Sequence, residues 1–197
     1  MGQKHTTEAI AAAHKAGPAW NQMTARDRSN ILRKWHNLVG QHQQDLARIL
    51  SVESGKPLSE AIKEISYGNS FIQWFSEEAS RIYGDVIPPP TKNRRLLVFK
   101  EPVGVVSIIT PWNFPNAMIT RKAGAALAAG CTIVIKPAPE TPFSALALAH
   151  LAAIAGVPPG VLNVIPSSKD QSPAVGLEMT SNPLVKKLSF TGSVISR

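Results

Sequence analysis

Gly104-Val105-Val106-Ser107-Ile108-Ile109-Thr110-Pro111-Trp112-Asn113-Phe114-Pro115 is a short apolar run that stops abruptly at a Thr-Pro turn. A continuous apolar run, as opposed to an alternating one, reads as a strand buried on both faces. The same shape recurs at Thr132 to Ile135, Val161 to Ile165 and, more briefly, Leu188 to Phe190. These runs begin about every 28 residues, the size of successive βαβ units. Helical stretches fill the gaps: Asn116 to Ala129, Pro142 to Ala155 and Gln171 to Thr180. Gly130 and Gly156 stop two of them, and Pro142 suits a first helical turn. The expectation is an α/β protein whose doubly wound parallel sheet carries helices on both faces.

Upstream the pattern is helical. Thr7 to Ala16 is Ala-rich, with Gly17-Pro18 expected to stop it. Thr24 suits the cap of a second helix bearing Ile31, Leu32, Trp35, Leu38 and Val39. That pattern runs on through Leu46, Ile49 and Leu50 to Ser54-Gly55-Lys56-Pro57. A third helix carries Ile62, Ile65, Phe71, Ile72 and Phe75, and Trp35 and Trp74 read as core. Gly84 to Lys92, with Pro88-Pro89-Pro90, reads as an extended linker. Arg95 to Lys100 then alternates weakly, like an exposed strand.

Composition bounds the function. The chain has 197 residues, a net charge of +8 and one cysteine. No apolar run approaches the roughly 20 residues that span a bilayer, and the N-terminus lacks the apolar core of a secretory signal. Met1-Gly2 with Thr6 fits a loose acylation pattern, but so short a pattern is weak and a plain soluble start is the better reading. The positive charge suggests nucleic acid. Yet its longest basic runs are scattered pairs without interleaved aromatics, so a solvated surface is the better reading. The five His residues show no zinc spacing. Cys131, at the entry to a strand, reads as a small core hydrophobe and not as a nucleophile.

The chemistry gathers where the apolar runs end, which is where open α/β sheets bind ligands. After the first run, Asn113 offers an amide that can donate to a developing oxyanion or cap the helix that follows. After the second, Lys136 can hydrogen-bond ribose hydroxyls, neutralise a phosphate or simply sit in solvent. After the fourth, Phe190-Thr191-Gly192-Ser193 can bring backbone amides and a hydroxyl toward a diphosphate. Arg121 lies eight residues beyond Asn113, flanked by Ala117 and Ala125. It reads either as a surface arginine or as a bidentate partner for a ligand carboxylate.

At these residues the chain resembles the aldehyde dehydrogenases, specifically the succinate-semialdehyde dehydrogenase group. The resemblance runs through Glu53 to Pro57, Glu101 to Val105, Pro111 to Pro115, Met118 to Lys122, Ala126 to Lys136, Thr141 to Ala149 and Thr180 to Ser193. It implies a Rossmann-like cofactor domain, incomplete here, that uses NAD or NADP. In the reaction it implies, a cysteine thiolate attacks an aldehyde and the Asn113 amide holds the oxyanion. Hydride passes to the nicotinamide, and a glutamate activates the water that frees the acid. Thr110, Pro111, Trp112, Arg121, Lys136, Pro137, Ala138, Pro139, Gly192 and Ser193 would face the cofactor, Arg121 also pairing with the carboxylate of succinate semialdehyde.

The resemblance also implies a division. Residues 1–83 would form the helical part of the cofactor domain, 84–104 the start of an oligomerisation arm, and 105–197 truncated dinucleotide-binding βαβ units. A catalytic domain holding the nucleophilic Cys and base Glu would be absent. The expected partners are a small aldehyde and further copies of the chain in a dimer or tetramer, with no nucleic acid and no membrane. The expected compartment is the cytoplasm, with the mitochondrial matrix as the alternative. The 197-residue chain by itself is expected to be inactive and to bind cofactor weakly; a non-catalytic fragment that joins full-length subunits is the rival reading. Two departures from the family pattern stand out. Pro139 stands where NAD-preferring relatives often carry a glutamate, which would admit NADP, and Val194-Ile195-Ser196-Arg197 lacks an expected glycine.

Overall fold

The computed structural model describes residues 1–193, so the missing glycine expected within Val194 to Arg197 lies outside the described residues. The chain opens with four helices: α1 (Gln3–Gln22), α2 (Ala25–Gln41), α3 (Gln43–Ser54) and α4 (Leu58–Glu78). An antiparallel ribbon follows, β1 (Asp85–Ile87) and β2 (Leu96–Val98). Then comes the alternating unit β3 (Val105–Ile109), α5 (Ala117–Ala128), β4 (Thr132–Lys136), α6 (Pro142–Ala155), β5 (Leu162–Val164), α7 (Ser172–Ser181) and β6 (Val185–Phe190).

The four strands of this unit form a parallel sheet in the order β5-β4-β3-β6. Successive side chains of a strand point to opposite faces, and here both faces are apolar. Val106, Ile108, Ile133 and Ile135 join the larger core with Leu32, Trp35, Ile65, Ile119, Leu127 and Leu148. Val105 and Val134 join a smaller one with Ile10, Ala13, Ile165, Val175 and Met179. So α5 and α6 cover one face, backed by α2, α3 and α4, while α1 and α7 cover the other. The expected doubly wound α/β sheet is what forms.

Small residues let α4 and α5 approach closely. A Cβ at Gly68 would collide with Asn116 Oδ1 and stand 3.2 Å from Ala117 Cα. One at Gly124 would stand 3.1 Å from the Phe75 ring.

Several local expectations change. Gly17-Pro18 does not stop α1, which continues to Gln22. Trp20 is the reason: it is buried, and its indole N–H donates to Leu127 O at 3.3 Å. Burying so large a side chain offsets the roughly 3 kcal/mol cost of an interior proline. The second helix breaks at His42, which ends α2 and begins α3. The break re-aims Leu46, Ala47 and Leu50 into the core against α4 and α6. Trp74 is exposed and not core, because the buried stripe of α4 runs through Ala61, Ile65, Ile72 and Ser76 and leaves position 74 on the opposite side. The stretch expected as a linker instead contributes β1, and Pro88-Pro89-Pro90 falls between the two ribbon strands.

Candidate cofactor and aldehyde site

The sheet register brings three strand ends into line. Ile109 pairs with Lys136 on one side and with Phe190 on the other. Just beyond, Thr110 N donates to Lys136 O at 3.2 Å, and Thr191 N donates to Ile109 O at 3.0 Å. The loops carrying Asn113, Lys136-Pro137 and Gly192-Ser193 therefore leave one edge of the sheet side by side. The connection from β3 leads to β4 on one side, while β6 lies on the other, so this edge is where the chain's winding reverses. Ligands of open α/β sheets sit at such a point.

Lys136 is buried, only 6% exposed, which removes the reading of a strand-end lysine in solvent. Among the described residues its ammonium has no hydrogen-bond partner. Burial pushes its pKa below the ordinary lysine value, and nearby Glu140 opposes that only in part. Thr110 is buried beside it, and its Oγ1 has no partner among the described residues. Pro137 and Ala138 are buried, Pro139 half-buried and Glu140 exposed, so the turn after β4 packs inward while its tip faces out. A buried cation and a buried hydroxyl without partners suit a ligand that brings oxygens to both.

The Asn113 loop is held from outside. Lys56 Nζ donates to Asn113 O at 2.8 Å and lies 4.2 Å from the centre of the Phe114 ring. The same ammonium pairs with Glu64 at 2.5 Å. The other oxygen of Glu64 accepts from Asn116 N at 3.0 Å and Ala117 N at 3.3 Å, so it caps α5 from the neighbouring helix. Asn113 is thus relieved of the capping role. Its side chain is exposed and makes no hydrogen bond among the described residues. Trp112 is exposed alongside it.

Arg121 lies one turn into α5, half-buried, with Nη2 donating to Tyr67 Oη on α4. Its neighbour Lys122 donates to Ser189 Oγ on β6 at 3.0 Å, and burial first, then Arg121, lowers its pKa. Gly192 packs on Phe190: a Cβ there would stand 2.5 Å from Phe190 Cζ. Gly192 and Ser193 are both exposed at the sheet edge. Cys131 is buried at the start of β4, as expected of a core residue.

Residue-by-residue reading missed the supports. Glu53 accepts from Phe143 N at 2.7 Å and Ser144 N at 2.9 Å, capping α6 as Glu64 caps α5. Gly55 ends α3 in the left-handed region, at φ 72°, which lets Glu53 and Lys56 diverge toward different helices. A signal was present for Glu64. It sits within the apolar stripe Ala61, Ile65, Gly68, Ile72, where an unpaired carboxylate is costly and so predicts a partner. Nothing marked Tyr67.

Comparison with known proteins agrees with this architecture. The profile of the aldehyde dehydrogenase family matches residues 1–196. Succinate-semialdehyde dehydrogenase [NADP(+)] of Escherichia coli is 63% identical over 193 residues, covering 98% of this chain and 39% of the relative. Glutarate-semialdehyde dehydrogenase of Pseudomonas aeruginosa is 58% identical over 193 residues, with the same coverage. A solved structure described as an Escherichia coli NADP-dependent enzyme superposes with a TM-score of 0.94 at 62% identity, over 98% of this chain and 39% of that one. The chain therefore spans about two-fifths of the length of the relatives it matches.

Proposed function

Because this chain belongs to the aldehyde dehydrogenase family, we propose that it supplies the dinucleotide-binding part of an enzyme that oxidises a short carboxylated aldehyde to the acid. Succinate semialdehyde is the first choice of substrate and glutarate semialdehyde the second, after the names of its relatives. One observation carries the reading: three loops leave a single sheet edge at its winding reversal, around buried Lys136 and Thr110, the Thr110 Oγ1 having no hydrogen-bond partner among the described residues.

These residues fit NAD or NADP. Lys136 would bond ribose hydroxyls or a phosphate, with Pro137, Ala138 and Pro139 shaping the turn beside it. Thr110, Pro111 and Trp112 would line the neighbouring loop, and Gly192 and Ser193 would face the diphosphate. The chemistry a bound nicotinamide supplies there is acceptance of a hydride. Asn113 would donate its side-chain amide to the oxygen of the aldehyde as that oxygen becomes negative. Arg121 would pair with the substrate carboxylate. With no carboxylate at position 139 to repel a 2′-phosphate, Pro139 would admit NADP as well as NAD, although Glu140 acts electrostatically on Lys136.

The sole cysteine of these 197 residues is buried Cys131, so this reading assigns the thiol nucleophile to no residue of the chain. Residues 1–83 and 105–197 together would make the cofactor portion, and 84–104 an oligomerisation arm. The compartment we favour is the cytoplasm, then the mitochondrial matrix. No helix among the described residues is long and apolar enough to cross a membrane.

Calorimetric titration of the 197-residue chain with NAD and NADP tests the cofactor reading. Weak binding is expected, and Lys136→Met should weaken it about tenfold, the worth of a charged hydrogen bond. Affinity should also fall as pH rises through the lowered pKa of Lys136, below the roughly 10.4 of a free lysine, because only the protonated amine attracts phosphate. The folding linkage has the opposite sign: in that window the unfolded chain holds a proton the native one lacks, so stability rises with pH. Equal affinity in wild type and Lys136→Met would remove Lys136 from the cofactor site.

A further inference from the structure

Tyr67 and Phe71 form a corner on α4, their rings edge to face with centroids 4.8 Å apart. Arg121 reaches into this corner from α5. Its guanidinium carbon lies 4.6 Å from the centre of the Phe71 ring and 5.5 Å from that of Tyr67, and Nη2 donates to Tyr67 Oη. Aromatic faces and a hydroxyl orient the guanidinium without neutralising it. Among the described residues no carboxylate pairs with Arg121, its buried Nε has no hydrogen-bond partner, and Nη1 has none either. The corner is reachable from solvent, with Tyr67 46% exposed. A tyrosine hydroxyl that accepts one hydrogen bond still has its own proton to donate.

We infer that Tyr67 and Arg121 act together as a carboxylate clamp: Tyr67 fixes the guanidinium and donates its own O–H to the same ligand carboxylate that Arg121 binds. The inference rests on the reading of Arg121 as the substrate's carboxylate partner and adds a second, neutral donor to it. Phe71 supplies the stacking surface that stops the guanidinium from swinging out. The clamp recognises the anionic end of the substrate, away from the reacting carbonyl, so it selects for a terminal carboxylate on a short chain.

The test uses the 197-residue chain, NMR of the Arg121 side chain where it is present and of the backbone amides around residues 67 and 121 in every variant, and two probes of matched shape, butyrate and the neutral butyramide. Tyr67→Phe keeps the ring and removes the hydroxyl; Arg121→Gln removes the cation. In wild type, butyrate should shift the Arg121 signals and butyramide should not. In Tyr67→Phe, butyrate should bind about tenfold more weakly and rotation of the guanidinium should speed up; in wild type, butyrate should also shift the Tyr67 hydroxyl proton, a change that a tyrosine only orienting Arg121 would not show. If Tyr67→Phe matches wild type in both respects while Arg121→Gln loses butyrate, the clamp is wrong and the Arg121 reading survives. If wild type and Arg121→Gln respond alike to butyrate, or neither responds, the Arg121 reading fails and the clamp fails with it. Retained amide fingerprints in both variants exclude unfolding as the cause.

Discussion

Glu64 buries a carboxylate whose hydrogen bonds all lead to the Asn113 loop or to the helix behind it. Lys56 closes the circuit by bonding both Glu64 and Asn113 O. A buried side chain thereby sets where the exposed Asn113 loop stands. Truncation to Glu64→Ala would leave the Lys56 ammonium without its carboxylate and two helix N–H groups unpaired. The expected cost is about 3–5 kcal/mol, read as a lowered urea midpoint with an unchanged slope. The control is Lys56→Met, which frees the loop carbonyl but leaves the cap on α5. It leaves the buried Glu64 carboxylate without its cation, so it should cost a comparable amount while moving the Trp112 and Phe114 signals as much. A Glu64→Ala urea midpoint indistinguishable from wild type would mean that water satisfies those groups and that the buried circuit is dispensable.

At the scale of elements, α1 shows a tertiary contact outweighing local propensity. Its Gly17-Pro18 pair breaks the helical rule, yet the helix must reach Trp20 to seat the indole against Leu127. Both residues face open space or solvent: a Cβ at Gly17 meets nothing within 4 Å, and Pro18 is exposed. The double substitution Gly17→Ala with Pro18→Ala should therefore stabilise the chain by about 1–3 kcal/mol, measurable as a raised melting temperature. A fall in melting temperature would mean that the proline fixes a bend the core requires. The far end of α1 is tied to α7 by Glu178, which accepts from Gln3 and Thr7. Hydrogen bonds from Asn182 first, then Thr7, lower its pKa, so that tie is complete above the ordinary carboxylate range and is lost as pH falls through the lowered value.

At the scale of the whole molecule, the β1-β2 ribbon stands out as apolar and uncovered. Val86, Ile87, Leu96, Leu97 and Phe99 are all exposed, Val86 at 80% and Phe99 at 78%. An apolar two-stranded ribbon with free edges is a template for pairing with another chain. As an oligomerisation arm it should make the chain associate in a concentration-dependent way. Leu97→Lys with Phe99→Lys should shift sedimentation toward the monomer without altering the melting of the sheet domain. Unchanged sedimentation in that variant would assign association, if any, to another face.

The strands, their parallel packing and the edge that carries Asn113, Lys136 and Gly192 were legible in the sequence. Apolar runs spaced one βαβ unit apart permit few other arrangements, and ligand-binding residues fall where such runs stop. Burial of Lys136 was open until β4 was seen between β3 and β5, because a residue at a strand end is wet or dry according to its neighbours. The capping by Glu53 and Glu64, the passage of α1 through Pro18 and the aromatic corner around Arg121 depend on side chains distant in sequence. Local periodicity says which face of a helix is apolar; only the packed structure decides what stands opposite a charged group on that face, and desolvation makes that partner, not the residue's own identity, the determinant of its role.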